Sequence, residues 1–396
     1  MTGPLPWPEV TPPPPGPTLK AAVKAAGGWL RVLQRYLRAA PWRRGLSLAE
    51  YLGYGLHRRP PHEAARHLGA AGVARLGARI NHMTSRHGLV ADKMLFDAML
   101  RGSGLAVAPL RAVFGRPAPE RTARILDEKG LRRVLSNPAA LPLFGRPAMG
   151  RRSRDLLAIT GFDPEADCAL TLDGQRVPVA RILGHLRLNH RGTGFLFQGL
   201  IPQHPTLTEA VGPAVATVRV FTLMHRRQCH VLGAVWKIPR AGQVADALWR
   251  GSMVAPVDVQ TGVAAAAFAR PRTDAARHAT HPDTSAALDG LELPHWPAVI
   301  QLVRRGAGLI QMLPLVAWDI ALGPGGPVMV EASTAPALHL LQLTDGRGLL
   351  AGETGALLTA AAADARRARR KLWRQRRRAR RRRLLQRLGL GPADVD

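Results

Sequence analysis

The chain has 396 residues, 46% hydrophobic and 5% aromatic, with 56 lysines and arginines against 27 aspartates and glutamates, a formal net charge of +29. That hydrophobic fraction excludes collagen-like and wholly disordered chains, and no window approaches the roughly 18 consecutive apolar residues of a membrane span. Two cysteines, Cys168 and Cys229, are too few for a disulfide framework or a structural zinc site, so a reducing, cytoplasmic setting is expected.

Residues 1–17 hold eight prolines, with neither the basic nor the apolar stretch of a secretory leader, and read as a disordered tail. A helical N-terminal region is expected over 18–90. Leu19, Ala22, Val23, Ala26, Leu30, Leu33 and Leu37 recur at helical spacing with basic residues between them, weakened at Gly27 and Gly28. This amphipathic helix suits packing against the body, although Trp29 and its basic side would also suit a membrane surface. Shorter helices follow, broken at Arg59-Pro60-Pro61. From about residue 88, helices and strands mix. Helices are expected at 92–101, 128–136 and 293–309. Strands are expected at 168–172, 194–200, 216–223, 230–236, 253–259, 316–322 and 328–332. This mixture predicts an α+β fold with at least two lobes. Residues 356–396 form a basic tail, in which 366–387 carry 14 basic residues and no acidic one. Lacking glycine and proline, that run predicts a helix, cationic on every side.

The last two strands carry the chemistry. In Val316-Ala-Trp-Asp-Ile-Ala-Leu322 the alternation puts Trp318, Ile320 and Leu322 on one face, and Ala317, Asp319 and Ala321 on the other. The connector at 323–327, Gly-Pro-Gly-Gly-Pro, is turn chemistry. If all five residues form the connection, Leu322 pairs with Val328 and Asp319 lies opposite Glu331. Two like charges about 5 Å apart repel unless a cation bridges them, and oxygen-only donors suit Mg²⁺. Two independent surface acids are the plainer alternative. P-loop, Rossmann and serine-hydrolase motifs are absent. His225, Cys229 and His230 lack the second cluster that a structural metal site would need.

Trp318-Asp-Ile-Ala-Leu322 followed by Val328-Met-Val-Glu331 resembles the closing metal-binding hairpin of ATP-grasp enzymes, in particular the branch associated with sugar transfer in bacterial polysaccharide synthesis. Asp92-Lys93-Met-Leu-Phe96, Gln203-His204-Pro205, Ala216-Thr217-Val218-Arg219-Val220, His281-Pro-Asp-Thr284 and Leu293-Pro-His-Trp296 resemble further stretches of that family, in the same order. The resemblance covers about 46–345. It implies a two-lobed ATP-grasp fold, the first lobe over 91–195 and the second over 196–355, clamping ATP. It implies Asp319, Glu331 and Ser333 as Mg²⁺ ligands, and Arg219 as the catalytic cation facing the transferring phosphate or acyl oxyanion. Lys93, Arg146, Gln198, His204 and Thr217 are implied around the nucleotide. Four positions depart from the family pattern. Ser333 replaces an asparagine, and Arg146 replaces a lysine. Gln198 replaces an acidic residue, and the loop 149–153 has one glycine where several are usual, with Arg151 and Arg152 beside it.

The implied activity joins a carboxylate to an amine through an acyl phosphate, on small-molecule substrates that include sugar-linked ones. A non-catalytic nucleotide-binding descendant is the alternative. A third reading is a polyanion binder acting through the tail, whose expected partners are an anionic membrane surface at the inner membrane face or nucleic acid.

Overall fold

The computed structural model describes residues 23–24, 28–39, 41–150, 155–246, 251–268, 277–344 and 346–387. The proline-rich segment 1–17 and the loop residues Arg151, Arg152 and Ser153 fall outside them. Two seven-stranded sheets form the body. The first comprises β1 (Leu110–Phe114), β2 (Ala123–Ile125), β3 (Leu143–Pro147), β4 (Leu157–Asp163), β5 (Cys168–Thr171), β6 (Arg176–Pro178) and β7 (Phe195–Gly199), in the order β2-β1-β7-β3-β4-β5-β6. Leu131, Val134 and Leu135 of the helix Glu128–Leu135, with Ile182, Leu183 and Leu186 of the helix Val179–Asn189, bury against Ile159 and Phe197 of this sheet.

The second sheet comprises β8 (Thr217–His225), β9 (Gln228–Ile238), β10 (Met253–Val257), β11 (Ala267–Phe268), β12 (Arg277–His278), β13 (Leu315–Gly323) and β14 (Gly326–Ser333), ordered β12-β11-β10-β9-β8-β13-β14. Its two faces have different coverings. Val218, Val220, Trp236, Trp318 and Ile320 pack against the helices Lys93–Gly102 and Trp296–Leu309. On the opposite face, Phe221, Leu223, Leu315 and Ala317 lie under the N-terminal helices and the start of the C-terminal helix Gly352–Arg387. Those helices cover only one end of each strand. At the other end the same face presents Thr217, Arg219, Lys237 and Asp319. Apolar covering ends where the polar residues begin, so the sequence pattern along β8 and β13 leaves room for a site.

Asn81 locks the hairpin to the helical region. It is 1% exposed; its amide nitrogen donates to the carbonyls of Leu315 (2.6 Å) and Thr334 (2.8 Å), and its oxygen accepts from Leu315 N (3.0 Å). Asn81→Ala strands three buried backbone groups, each costing about 1–3 kcal/mol when unpaired. A loss of at least about 3 kcal/mol is expected in urea unfolding; a loss below about 1 kcal/mol would show that the clamp is dispensable.

The N-terminal helix Trp29–Ala39 differs from a simple docked helix. Val32 is buried and Tyr36 half-buried against the body, whereas Trp29 (53% exposed), Leu30 (71%), Leu33 (46%) and Leu37 (53%) form an outward apolar stripe. Among the described residues no helix is long and apolar enough to cross a membrane. The C-terminal helix is one continuous element. Leu358, Ala361, Ala362 and Ala365 are buried, and from Arg366 onward its described side chains are exposed.

Candidate functional site

A cavity of about 340 Å³ lies between the two sheets. Arg146 on β3 and Gln198 on β7 enter from the first sheet, and Thr217, Lys237, Asp319 and Glu331 from the second. Lys93 enters from the first turn of the helix that Asp92 caps, where Asp92 Oδ1 accepts from Met94 N (3.0 Å) and Leu95 N (3.2 Å). That cap holds the helix start at the cavity wall.

The polar end of the second sheet is a buried ion network. Arg219 Nε and one terminal nitrogen each donate to Asp319 over 2.7 Å, a two-pronged pairing across β8 and β13. Lys237 Nζ lies 3.1 Å from Asp319 and 3.1 Å from Asp246. Asp246 also accepts from Thr217 N at 2.7 Å and from the Thr217 hydroxyl. Burial by itself would raise the Asp319 pKa, but Arg219 and Lys237 outweigh it and hold the carboxyl well below the usual carboxylate range. Asp246 goes the other way: burial pushes its pKa up, assisted by the nearby Asp319 and opposed by Lys237 and Thr217.

Asp319 does lie opposite Glu331, but not through a five-residue connection. Gly323 pairs with Gly326, leaving only Pro324 and Gly325 between them, and Leu322 pairs with Pro327. Continued unbroken, that register would set Asp319 against Val330 and turn Glu331 to the Trp318 face. A bulge between Asp319 and Ile320 inserts Val330 and returns Glu331 to the face of Asp319. The Val330 carbonyl accepts from Arg146 at 3.0 Å, so the irregularity also ties the hairpin to the first sheet. Arg146 is 7% exposed and its Nε has no hydrogen-bond partner; burial lowers its pKa, against the pull of Glu331 and Asp97. Glu331 lies 3.9 Å from Lys93 Nζ, which also donates to Gly150 O (3.0 Å). Burial lowers the Lys93 pKa, opposed by Glu331 and reinforced by Arg146.

The cavity therefore brings together Lys93, Arg146, Gln198, Thr217, Asp319 and Glu331, with Arg219 immediately behind Asp319. His204 and Ser333 are not among its lining. The His204 ring stands edge-on to His295 at 5.4 Å, and Ser333 pairs with Ala317, two residues beyond Glu331. Gln198 donates to Asp97 (3.4 Å), which also pairs with Arg101 at 2.8 Å. Sequence reasoning missed Lys237 and Asp246. The first carried a signal: it is one of only six lysines in the chain, placed at the end of an apolar strand. Asp246 lies in a loop and carried none.

The donor chemistry accommodates a single hard cation. An ionised carboxylate has about four acceptor positions; Arg219 and Lys237 use three at Asp319, and among the described residues Glu331 pairs with Lys93 alone, at 3.9 Å. Mg²⁺ takes one or two carboxylates and completes its shell with phosphate and water oxygens. Ser333 supplies at most one neutral oxygen, outside the cavity lining.

Residues 75–355 match the sugar-transfer associated ATP-grasp family. No curated protein matches the sequence. Similar solved structures include the L-amino acid ligase from Bacillus licheniformis, at 14% identity, TM-score 0.34, over 62% of this chain and 43% of that one. Others are the D-alanyl-alanine synthetase A from Vibrio cholerae (9%, 0.40, 70% and 65%) and the D-alanine–D-alanine ligase from Bacillus anthracis (13%, 0.38, 71% and 70%). The chain spans less than two thirds of the length of the first two.

Proposed function

The chain belongs to the sugar-transfer associated ATP-grasp family, and from that premise we propose a Mg-ATP-dependent enzyme that joins a carboxylate to an amine during modification of a sugar precursor. The observation that carries this reading is the convergence of Lys93 and Arg146 with Asp319 and Glu331 around one cavity between two sheets. ATP phosphorylates the carboxylate to an acyl phosphate, releasing ADP; the amine then attacks the acyl carbon and inorganic phosphate leaves. Lys93 and Arg146 neutralise the phosphates, which is most of what such a transfer requires of the protein. Arg219 spends two of its five N–H donors on Asp319 from behind the cavity wall, so its part is to hold that carboxylate in place. Lys237 keeps Asp319 ionised and oriented. Glu331 and Asp319 would hold Mg²⁺, which supplies charge neutralisation between the phosphoryl oxygens.

ADP and phosphate should appear only when both a carboxylate donor and an amine acceptor are supplied, measured by coupled ADP detection across candidate pairs. AMP and pyrophosphate as products would replace the acyl-phosphate reading with adenylate chemistry. A second reading, nucleotide binding without turnover, is favoured by the two cations already engaged by Asp319. Mg-ATP binding without ADP release on any donor and acceptor pair is its signature.

An anionic membrane surface is the partner we propose for the basic tail. Arg43, Arg44, Arg75, Arg79, Arg366 and Arg370 border one depression beside the C-terminal helix. Trp42, 47% exposed, precedes Arg43 in the chain and its ring lies 5.9 Å from that of Tyr36, and Leu30, Leu33 and Leu37 of the neighbouring helix are exposed as well. Apolar anchors with flanking arginines are the pairing that an interfacial helix uses on anionic lipid.

A further inference from the structure

A second cluster lies at the edge of the same cavity, away from the ion network. Asp155 precedes β4; His185 lies near the end of the helix Val179–Asn189, and His190 caps it. His185 Nε2 is 3.5 Å from Asp155 Oδ1, His190 Nε2 is 3.5 Å from Oδ2, and the ligand atoms of all three lie within 4.8 Å of one another. We propose that Asp155, His185 and His190 bind one divalent transition metal of the Zn²⁺ class.

Three observations carry this. Charge-assisted hydrogen bonds close to about 2.7–2.9 Å, well short of these separations. Ligands of one tetrahedral ion, with bonds near 2.0 Å, sit about 3.3 Å apart, close to the 3.5 Å from each histidine to Asp155. The His190 side chain is 7% exposed, and its Nε2 is buried without a hydrogen-bond partner while directed at Asp155. Two imidazoles with one carboxylate select zinc-like ions over the oxygen-seeking Mg²⁺. Asp155 and His190 line the cavity, so a fourth coordination position faces it and can accept water or an anionic oxygen from a bound molecule. The Asp155 backbone is left-handed (φ 58°), a conformation that aspartate tolerates better than most residues and that turns its carboxylate toward the helix end. Asn189 Nδ2 donates to the His185 carbonyl (3.1 Å) and lies 3.2 Å from His185 Nδ1, which fixes the ring's place at the helix end.

The test uses full-length protein, stripped with chelator and titrated with Zn²⁺ alone in a competition assay. One saturable equivalent per chain is expected. His190→Ala and Asp155→Asn should each weaken binding by more than about 100-fold, beyond a typical outer-shell loss. His230→Ala, in the rival His225–Cys229–His230 group, should change nothing. If His190→Ala fails to show a cooperative thermal transition, Asp155→Asn decides. No saturable binding in the folded protein, binding unchanged in Asp155→Asn, or binding lost only in His230→Ala would each overturn the proposal. None of these readouts depends on ATP or on the ligase reading.

Discussion

Asp319→Ala should destabilise the protein by about 3–5 kcal/mol, the usual consequence of removing one partner from a buried ion cluster. It leaves the Arg219 guanidinium and the Lys237 ammonium without their shared carboxylate, with Asp246 and Glu331 as the remaining counter-charges among the described residues. Both cations are mostly desolvated, with side chains 20% and 8% exposed. Chemical unfolding measures the loss, and a change below about 1 kcal/mol would mean that the network is solvated and weak. The sign of the pH dependence follows from the same groups. The folded pKa of Asp319 lies below its unfolded value of 3.8, so its contribution is complete above that pH and is lost as pH falls towards the folded pKa. Asp246 is raised, so its buried charge costs stability at neutral pH, and protonation on acidification relieves that cost. Wild type should therefore begin to lose the Asp319 contribution only below about pH 4, while Asp319→Ala lacks that component. Glu331→Gln, at a carboxylate 37% exposed, perturbs the fold far less and is the cleaner probe of ligand binding.

Truncation after Ala365 should sharply weaken binding to anionic vesicles while leaving the fold intact. Residues 366–387 hold 14 basic residues, and those described are exposed. Ala361, Ala362 and Ala365 are buried, and Asp364 pairs with His225 at 2.9 Å, so a cut at 361 would damage the core instead. At about 1 kcal/mol per basic residue at an anionic surface, six engaged arginines are worth about 10,000-fold in partition. Leu30→Glu with Leu33→Glu should weaken the remaining affinity, because their side chains face outward. Co-sedimentation with phosphatidylserine vesicles across a salt series measures both. Unchanged partition after truncation removes the membrane proposal, and tighter binding to duplex DNA than to vesicles assigns the tail to nucleic acid.

Most of the second sheet was legible because its strands are short apolar runs, such as 316–322, bounded by glycine and proline. The opposition of Asp319 and Glu331 followed from spacing, whereas the two-residue turn and the compensating bulge did not. A bulge is settled by what it satisfies, here the bond from Arg146 to the Val330 carbonyl, a partner 184 residues away. The helices Val179–Asn189 and Pro205–Val211 were not anticipated. The first has glycine at 184 and scattered polar residues, and the second begins at a proline, so neither displays a clean apolar stripe. Asp246 and the Asp155–His185–His190 cluster share a different reason. Each is assembled from segments far apart in sequence or from loops, where local pattern carries no information. The N-terminal helix was read as one apolar face because Leu30, Leu33 and Leu37 share a spacing that does not reveal which stripe packs.

The central claim is a Mg-ATP site between the two sheets, and the most direct test is the thermal midpoint against Mg-ATP concentration in wild type, Glu331→Gln and Arg146→Met. Binding to the folded state adds RT ln(1 + [L]/Kd), so the wild-type midpoint should climb steadily with the logarithm of concentration above Kd. In each variant, referred to its own ligand-free midpoint, the climb should begin at least about 10-fold higher in concentration, equivalent to about 1.4 kcal/mol of lost binding. A wild-type midpoint that stays flat through millimolar Mg-ATP, or the same curve in all three proteins, would contradict it.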